Sequence, residues 1–297
     1  MRASCLLMLT AAGALAAQTL RPNLLVSTDW LAAHLKDPNL TVVHVTRDPR
    51  NYQAGHIPGA RLLTWDQFTI NREGIPVELP AVADLVGQLE KAGISDETRV
   101  VLYGDNLGLA AARAWFTLDF LGHGYHAALL DGGLEKWRAE SRPLSQDTPA
   151  IRRGRLTPRL RRQALVGLAR MRTLVEAKDP AVLLLDARPP AEYRGEKPFG
   201  NPPLAGHIPG AVSLYWMDAL ASQDRPVLRP PAELRRMFQA AGARPGRRLV
   251  AYCGAGVQAA YVYFMARYLG YDAALYDGSL AEWTRAGGAL ATSAGRD

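Results

Sequence analysis

The chain repeats itself once, and that repeat constrains its fold more than any other feature. Gly55-His56-Ile57-Pro58-Gly59-Ala60 recurs 151 residues later as Gly206-His207-Ile208-Pro209-Gly210-Ala211. Asp131-Gly132-Gly133-Leu134-Glu135-Lys136-Trp137 recurs 146 residues later as Asp277-Gly278-Ser279-Leu280-Ala281-Glu282-Trp283. Between them, Val100-Val101-Leu102-Tyr103 answers Leu249-Val250-Ala251-Tyr252. Ordered matches at a period near 150 mean duplicated domains and not a solenoid, and 297 residues accommodate two domains of ordinary size.

Each half alternates strand and helix signals. Residues 41–45, 99–103 and 127–130 are short apolar runs, and 109–121 has helical length, with Gly122 suited to its C-terminal stop. The second half predicts strands at 181–185, 248–252 and 273–276, and a helix over about 258–269 ended by Gly270. Apolar strands interleaved with helices indicate a parallel sheet covered on both faces. The join falls near 141–162, where Pro143, Pro149 and Pro158 break the pattern. We therefore divide the chain into a first domain over residues 18–145, a linker over 146–165 and a second domain over 166–297.

Residues 1–17 read differently. A basic start, an almost wholly apolar stretch and a small-x-small step at Ala14-Leu15-Ala16 describe a cleavable secretory signal. The expectation is an exported protein of the bacterial periplasm. Cleavage would remove Cys5 and leave Cys253 as the only cysteine, so no internal disulfide can form.

Hydrophobic residues make up 48% of the chain and charged residues 21%, which is a globular composition. The net charge of +7 biases the surface towards anions. Eight arginines fall within the 21 residues from Arg152 to Arg172. A charge run of this kind reads first as a solvated linker. No aromatic residues interleave with it, which argues against a nucleic-acid groove; attachment of this segment to an anionic membrane surface is a further alternative that is not expected.

The chemistry centres on Tyr252-Cys253-Gly254-Ala255-Gly256-Val257-Gln258. Cys253 follows a buried strand and precedes a helix, and ligands of open α/β sheets bind at the carboxyl ends of the strands. Gly254 and Gly256 let the backbone curl so that its N–H groups point inward. Such a nest, backed by a helix N-terminus, favours a thiolate at its centre. The first half has Gly104 or Asp105 at the matching position, so one half keeps a nucleophile that the other lacks.

In combination, the paired G-H-I-P-G-A and D-G-G/S-x-x-x-W motifs and the cysteine loop of the second half resemble tandem-domain rhodaneses, the family of thiosulfate and 3-mercaptopyruvate sulfurtransferases. The resemblance covers nearly all of the chain after residue 17. It implies an α/β fold of two rhodanese-like domains, each a twisted parallel sheet flanked by helices. It implies a ping-pong cycle in which Cys253 takes sulfur from a small anionic donor as a persulfide. The sulfur then passes to cyanide or to a thiol or thioredoxin-like acceptor, with no cofactor or metal.

The resemblance also implies substrate-binding roles. They fall on the loop residues Gly254, Ala255, Gly256, Val257 and Gln258, on Arg188 and Arg194, and on His56 and Asp48 of the first half. A guanidinium suits a carboxylate or sulfonate. Arg188 could equally form a structural ion pair with Asp186 or Glu192, and for Arg194 a structural role is favoured. His56 and His207 sit in identical motifs, which suggests structural histidines. Trp137 and Trp283 read as core aromatics. The loop lacks the basic residues of thiosulfate-type members and looks closer to C-G-[ST]-G-V-T, yet Ala255 stands where a hydroxyl is expected and Gln258 replaces threonine.

Other classes fit less well. A cysteine phosphatase needs an arginine where this chain has Ala259. One cysteine with scattered histidines has no zinc spacing, and no G-x4-G-K-[ST] loop occurs. The remaining alternative is a sulfur-carrier or redox-binding module of the cell envelope that does not turn over.

Overall fold

The computed structural model describes residues 18–104, 106–198, 200, 203–222, 224 and 226–292. The expected signal segment and Asp105 lie outside the described residues.

The first half contributes strands β1 (Leu25–Val26), β2 (Leu40–Thr46), β3 (Arg61–Thr64), β4 (Ile70–Arg72), β5 (Ile75–Glu78), β6 (Arg99–Gly104) and β7 (Ala127–Leu130). The second contributes β8 (Leu165–Val166), β9 (Val182–Asp186), β10 (Val212–Ser213), β11 (Arg248–Tyr252) and β12 (Ala273–Tyr276). Two five-stranded sheets form, in the orders β1-β7-β6-β2-β3 and β8-β12-β11-β9-β10. All their pairings are parallel, and strand for strand the two orders correspond. Strands β4 and β5 form a separate antiparallel hairpin.

Sequence and structure agree closely on the central strands, because β6, β7, β11 and β12 are apolar runs buried on both faces. The two-residue edge strands β1, β8 and β10 escape pattern reading, since they are too short to carry a period.

The helices Leu109–Phe120 and Val257–Tyr268 occupy equivalent places, each begun by a left-handed glycine, Gly108 or Gly256. They pack against each other between the sheets, and Phe264 and Tyr263 meet Trp115 and Phe116 edge-on. Both are apolar around nearly their whole circumference because each is covered on every side. Their side chains merge the inner faces of both sheets into one core, while each outer face has a smaller core of its own.

The linker does not hang in solvent along its length. Gly154 and Arg159 donate backbone N–H groups to Glu90 and Leu121, and Leu156 is buried against the first half. Arg152, Arg155, Arg159 and Arg162 remain exposed. At the opposite end of the chain order, Arg21 donates its backbone N–H to Tyr268 of the second half.

Candidate active site

Cys253 directly follows β11, the central strand of its sheet, and precedes the helix Val257–Tyr268. The strand is anchored one residue earlier. Tyr252 pairs with Asp186 in the ladder, and its hydroxyl accepts the N–H of Ile208 in the G-H-I-P-G-A motif at 3.1 Å. The first half repeats this anchor between Tyr103 and Ile57 at 3.0 Å. The duplicated motif therefore fixes the strand that presents the loop.

The loop curls as the glycines suggest. Gly256 has φ +75°, and a Cβ there would come within 2.8 Å of the Asp277 carbonyl oxygen, so both backbone angle and space demand glycine. A Cβ at Gly254 would meet nothing within 4 Å, so that side of the loop is open.

The loop amides divide into two sets. The N–H groups of Cys253 and Gly256 donate to the Ser279 hydroxyl at 3.2 and 3.0 Å, and that hydroxyl donates to the Tyr276 carbonyl at 2.9 Å. The amides of Gly254, Ala255, Val257 and Gln258 have no partner among the described residues. Val257 and Gln258 open the helix, where unpaired N–H groups carry the positive end of the helix dipole. Cys253 itself is 2% exposed, whereas Gly254, Ala255, Val257 and Gln258 are half-buried. The thiol thus lies beneath its loop and not at an open mouth.

The first half reaches under this loop. Arg113, fully buried on the helix Leu109–Phe120, forms an ion pair with Asp277 and points a nitrogen at the Gly256 carbonyl 3.5 Å away. Its other terminal nitrogen donates to the Val77 carbonyl at 2.7 Å. Leu79, just past β5, donates its N–H to Asp277 at 3.1 Å. The mirror contact exists: Leu228 donates to Asp131 at 2.9 Å. Burial raises the Asp131 carboxyl above the usual carboxylate range, and the Leu228 bond opposes that shift. Each D-G motif therefore clamps a backbone amide of the opposite half.

The other residues expected at the site are placed as follows. Arg188 lies just beyond the end of β9, beside the Cys253 strand, since the N–H of Ala187 donates to the Tyr252 carbonyl. Its guanidinium, 1% exposed, is held by Asp186 at 2.6–3.2 Å and by the Gly206 carbonyl at 2.7 Å. This is the structural ion pair weighed against substrate binding, with Glu192 a more distant 3.8 Å. Arg194 is half-buried and forms a two-point pair with the exposed Glu196.

His56 and Asp48 are each held by partners of their own surroundings. The His56 ring is fully buried, stacks on Tyr52 at 3.8 Å, and has its nitrogens on the Tyr52 and Asp147 carbonyls at 3.0 and 3.1 Å. Its partners all belong to the first half and the linker, so it holds that motif in place. His207 repeats the arrangement on Tyr193. Asp48 caps the helix Pro49–Gln53 and pairs with Arg50, whose hydrogen bonds hold its carboxyl below the usual range. Trp137 and Trp283 are core residues whose indoles donate to Pro143 and Ala289.

Sequence reading missed Arg113, Asp277 and Ser279. A signal for each was present. Arg113 is a cation within the apolar run of 109–118, which demands a buried partner. Ser279 breaks the D-G-G pattern of the first half.

A thiol at the end of a central parallel strand, under a curled loop with unpaired amides and a helix N-terminus, defines an α/β protein that can hold a sulfur anion. A rhodanese-like domain model matches residues 27–140 and 169–286. The chain belongs to the rhodanese family and is a tandem-domain sulfurtransferase. It is 37% identical over 273 residues to a probable 3-mercaptopyruvate sulfurtransferase of Pseudomonas aeruginosa, covering 87% of this chain and 94% of that one. It is 33% identical over 278 residues to the sulfur carrier protein TtuD of Thermus thermophilus (88% and 94%). It is equally identical over 275 residues to a thiosulfate sulfurtransferase of Corynebacterium glutamicum (88% of each). Among solved structures, YnjE superposes with TM-score 0.80 at 23% identity, over 91% of this chain and 68% of that one. EanB superposes with TM-score 0.78 at 24% identity, over 91% and 69%. These two likenesses concern the fold.

Proposed function

We propose that Cys253 carries sulfur between a small anionic donor and a nucleophilic acceptor. The thiolate attacks the outer sulfur of thiosulfate, the sulfur–sulfur bond of the donor breaks, and sulfite leaves with the bonding pair. With 3-mercaptopyruvate the carbon–sulfur bond breaks instead, and the enolate of pyruvate leaves and takes up a proton. Either route yields Cys253–S–S⁻, whose outer sulfur is then taken by cyanide or by a thiol. The observation that carries this reading is the set of four unpaired loop amides beside the thiol, which suits a persulfide anion.

The loop sequence favours 3-mercaptopyruvate over thiosulfate, because no cation lies between Cys253 and Gln258 to hold a sulfonate. Initial rates with both donors, with cyanide as acceptor, test this for the wild type and for Cys253→Ser. The substitution should abolish turnover with every donor. Donor treatment should add about 32 Da, one sulfur atom, to the peptide holding Cys253; an unchanged mass would remove the proposal.

A slower sulfur-carrier role is favoured by the 2% exposure of Cys253, which limits access of bulky donors. Stoichiometric loading without turnover would select it. Export belongs to the same proposal: the mature protein should begin near residue 18, and a mass that retains residues 1–17 would contradict it.

A further inference from the structure

Ser279 is fully buried and has φ +49°, a backbone angle that an L side chain adopts only at a cost. The equivalent residue of the first half is Gly133, with φ +55°. The two halves thus share a left-handed residue at this position, although the preceding glycine is left-handed only in the first half (Gly132 φ +81°, Gly278 φ −61°), and the half with glycine bears it freely. The half with the thiol carries a serine there in spite of the strain.

The serine hydroxyl has three partners: two amides of the cysteine loop and one carbonyl at the end of β12. It accepts from Cys253 and Gly256 and donates to Tyr276, as described above. It thereby ties the first and fourth residues of the loop to a single oxygen. The backbone of the helix Ser279–Arg285 completes the attachment: Leu280 donates to the Cys253 carbonyl at 3.1 Å and Ala281 to the Gly254 carbonyl at 3.0 Å.

The first half solves the same turn without a hydroxyl. Its loop is one residue longer between the anchoring tyrosine and the left-handed glycine, Tyr103 to Gly108 against Tyr252 to Gly256. There the Glu135 carboxylate accepts the Leu107 N–H at 3.1 Å. A Cβ at Gly133 would sit 3.1 Å from both the Gly104 carbonyl oxygen and Glu135. A side chain at that position is therefore crowded in the half without the thiol and filled in the half with it.

We infer that Ser279 is a positioning residue for Cys253, its hydroxyl fixing the conformation of the loop that carries the unpaired amides of Gly254, Ala255, Val257 and Gln258. The inference deepens the sulfur-transfer reading and rests on it. The backbone strain at Ser279 supports it, because a strained residue persists where the surroundings over-determine it and strain of this kind gathers at functional sites.

The test compares Ser279→Gly with the wild type. Glycine relieves the strained angle but leaves the Cys253 and Gly256 N–H groups without their acceptor, so a purely structural serine predicts a lowered melting temperature and unchanged turnover wherever the variant is fully folded. The positioning role predicts, at temperatures where the variant is fully folded and whatever its melting temperature, kcat for 3-mercaptopyruvate lowered at least tenfold with KM within about twofold. Ser279→Ala, which keeps the strain, should lose kcat equally. Amide hydrogen exchange of the peptide spanning 253–257 should quicken at least tenfold in Ser279→Gly. Wild-type kcat and wild-type exchange in Ser279→Gly would overturn the inference. If the wild type itself turns over no donor, the sulfur-transfer reading fails separately, and the exchange experiment alone decides whether Ser279 holds the loop.

Discussion

Asp119 and Arg267 stand at equivalent positions of the two duplicated helices, each eleven residues past its left-handed glycine, and they pair with each other at 3.4 Å across the helix contact. Duplication of one domain would have placed identical residues at these positions. Two like charges meeting in a buried contact are costly, and the halves instead present opposite ones. Arg161 of the linker and the Tyr263 hydroxyl also bind Asp119, and burial, aided by the Asp119 charge, pushes the Tyr263 phenol far above its usual range.

Asp119→Ala should therefore destabilise the protein by about 3–5 kcal/mol, because Arg161 and Arg267 are left charged and unpaired. Adding Arg267→Met should recover part of the loss. Urea unfolding of the two single variants and the double variant measures the coupling, and strict additivity would refute the pairing.

Arg113 links the half without the thiol to the half that has it. Arg113→Met keeps most of the side-chain volume but leaves Asp277 without its cation. We expect a stability loss of about 3 kcal/mol or more for a broken buried pair. We also expect reduced kcat at temperatures where the variant remains fully folded, since the Gly256 carbonyl and the Val77 hairpin lose their shared tether. Full activity in the folded variant would confine Arg113 to a stabilising role.

His123 provides the pH dependence. Burial, the largest influence, lowers its affinity for protons, while its hydrogen bond to the Thr98 carbonyl opposes this. The folded state therefore binds fewer protons than the unfolded state as the pH falls. Stability should be unaffected by this residue well above the ordinary histidine value of about 6.5. It should decline as the pH drops through that value, until the depressed folded value is passed. Melting temperatures between pH 8 and pH 5 should show a slope that His123→Gln reduces; an identical slope in the variant would count against it.

The strands at the centre of each sheet and the two long helices were legible because their patterns are local. An apolar run of four or five residues bounded by turns reads as a strand wherever it occurs, and residues 127–130, 248–252 and 273–276 fall where the sequence places them. Cys253 was legible for the same reason, as a residue between such a strand and a glycine turn. The surroundings of His56 are not legible in the same way, because its motif reports a backbone anchor that both halves share, and nothing local states which way its ring faces.

The sequence by itself determined two α/β domains, the places of their central strands along the chain and the position of the thiol relative to strand and helix. Tertiary structure alone decided that the duplicated helices meet face to face, and that Arg113, 140 residues before Cys253, lies beneath its loop. It also decided that Ser279 takes the loop amides. Periodicity records which face of an element is apolar, and it carries no record of which other apolar face covers it.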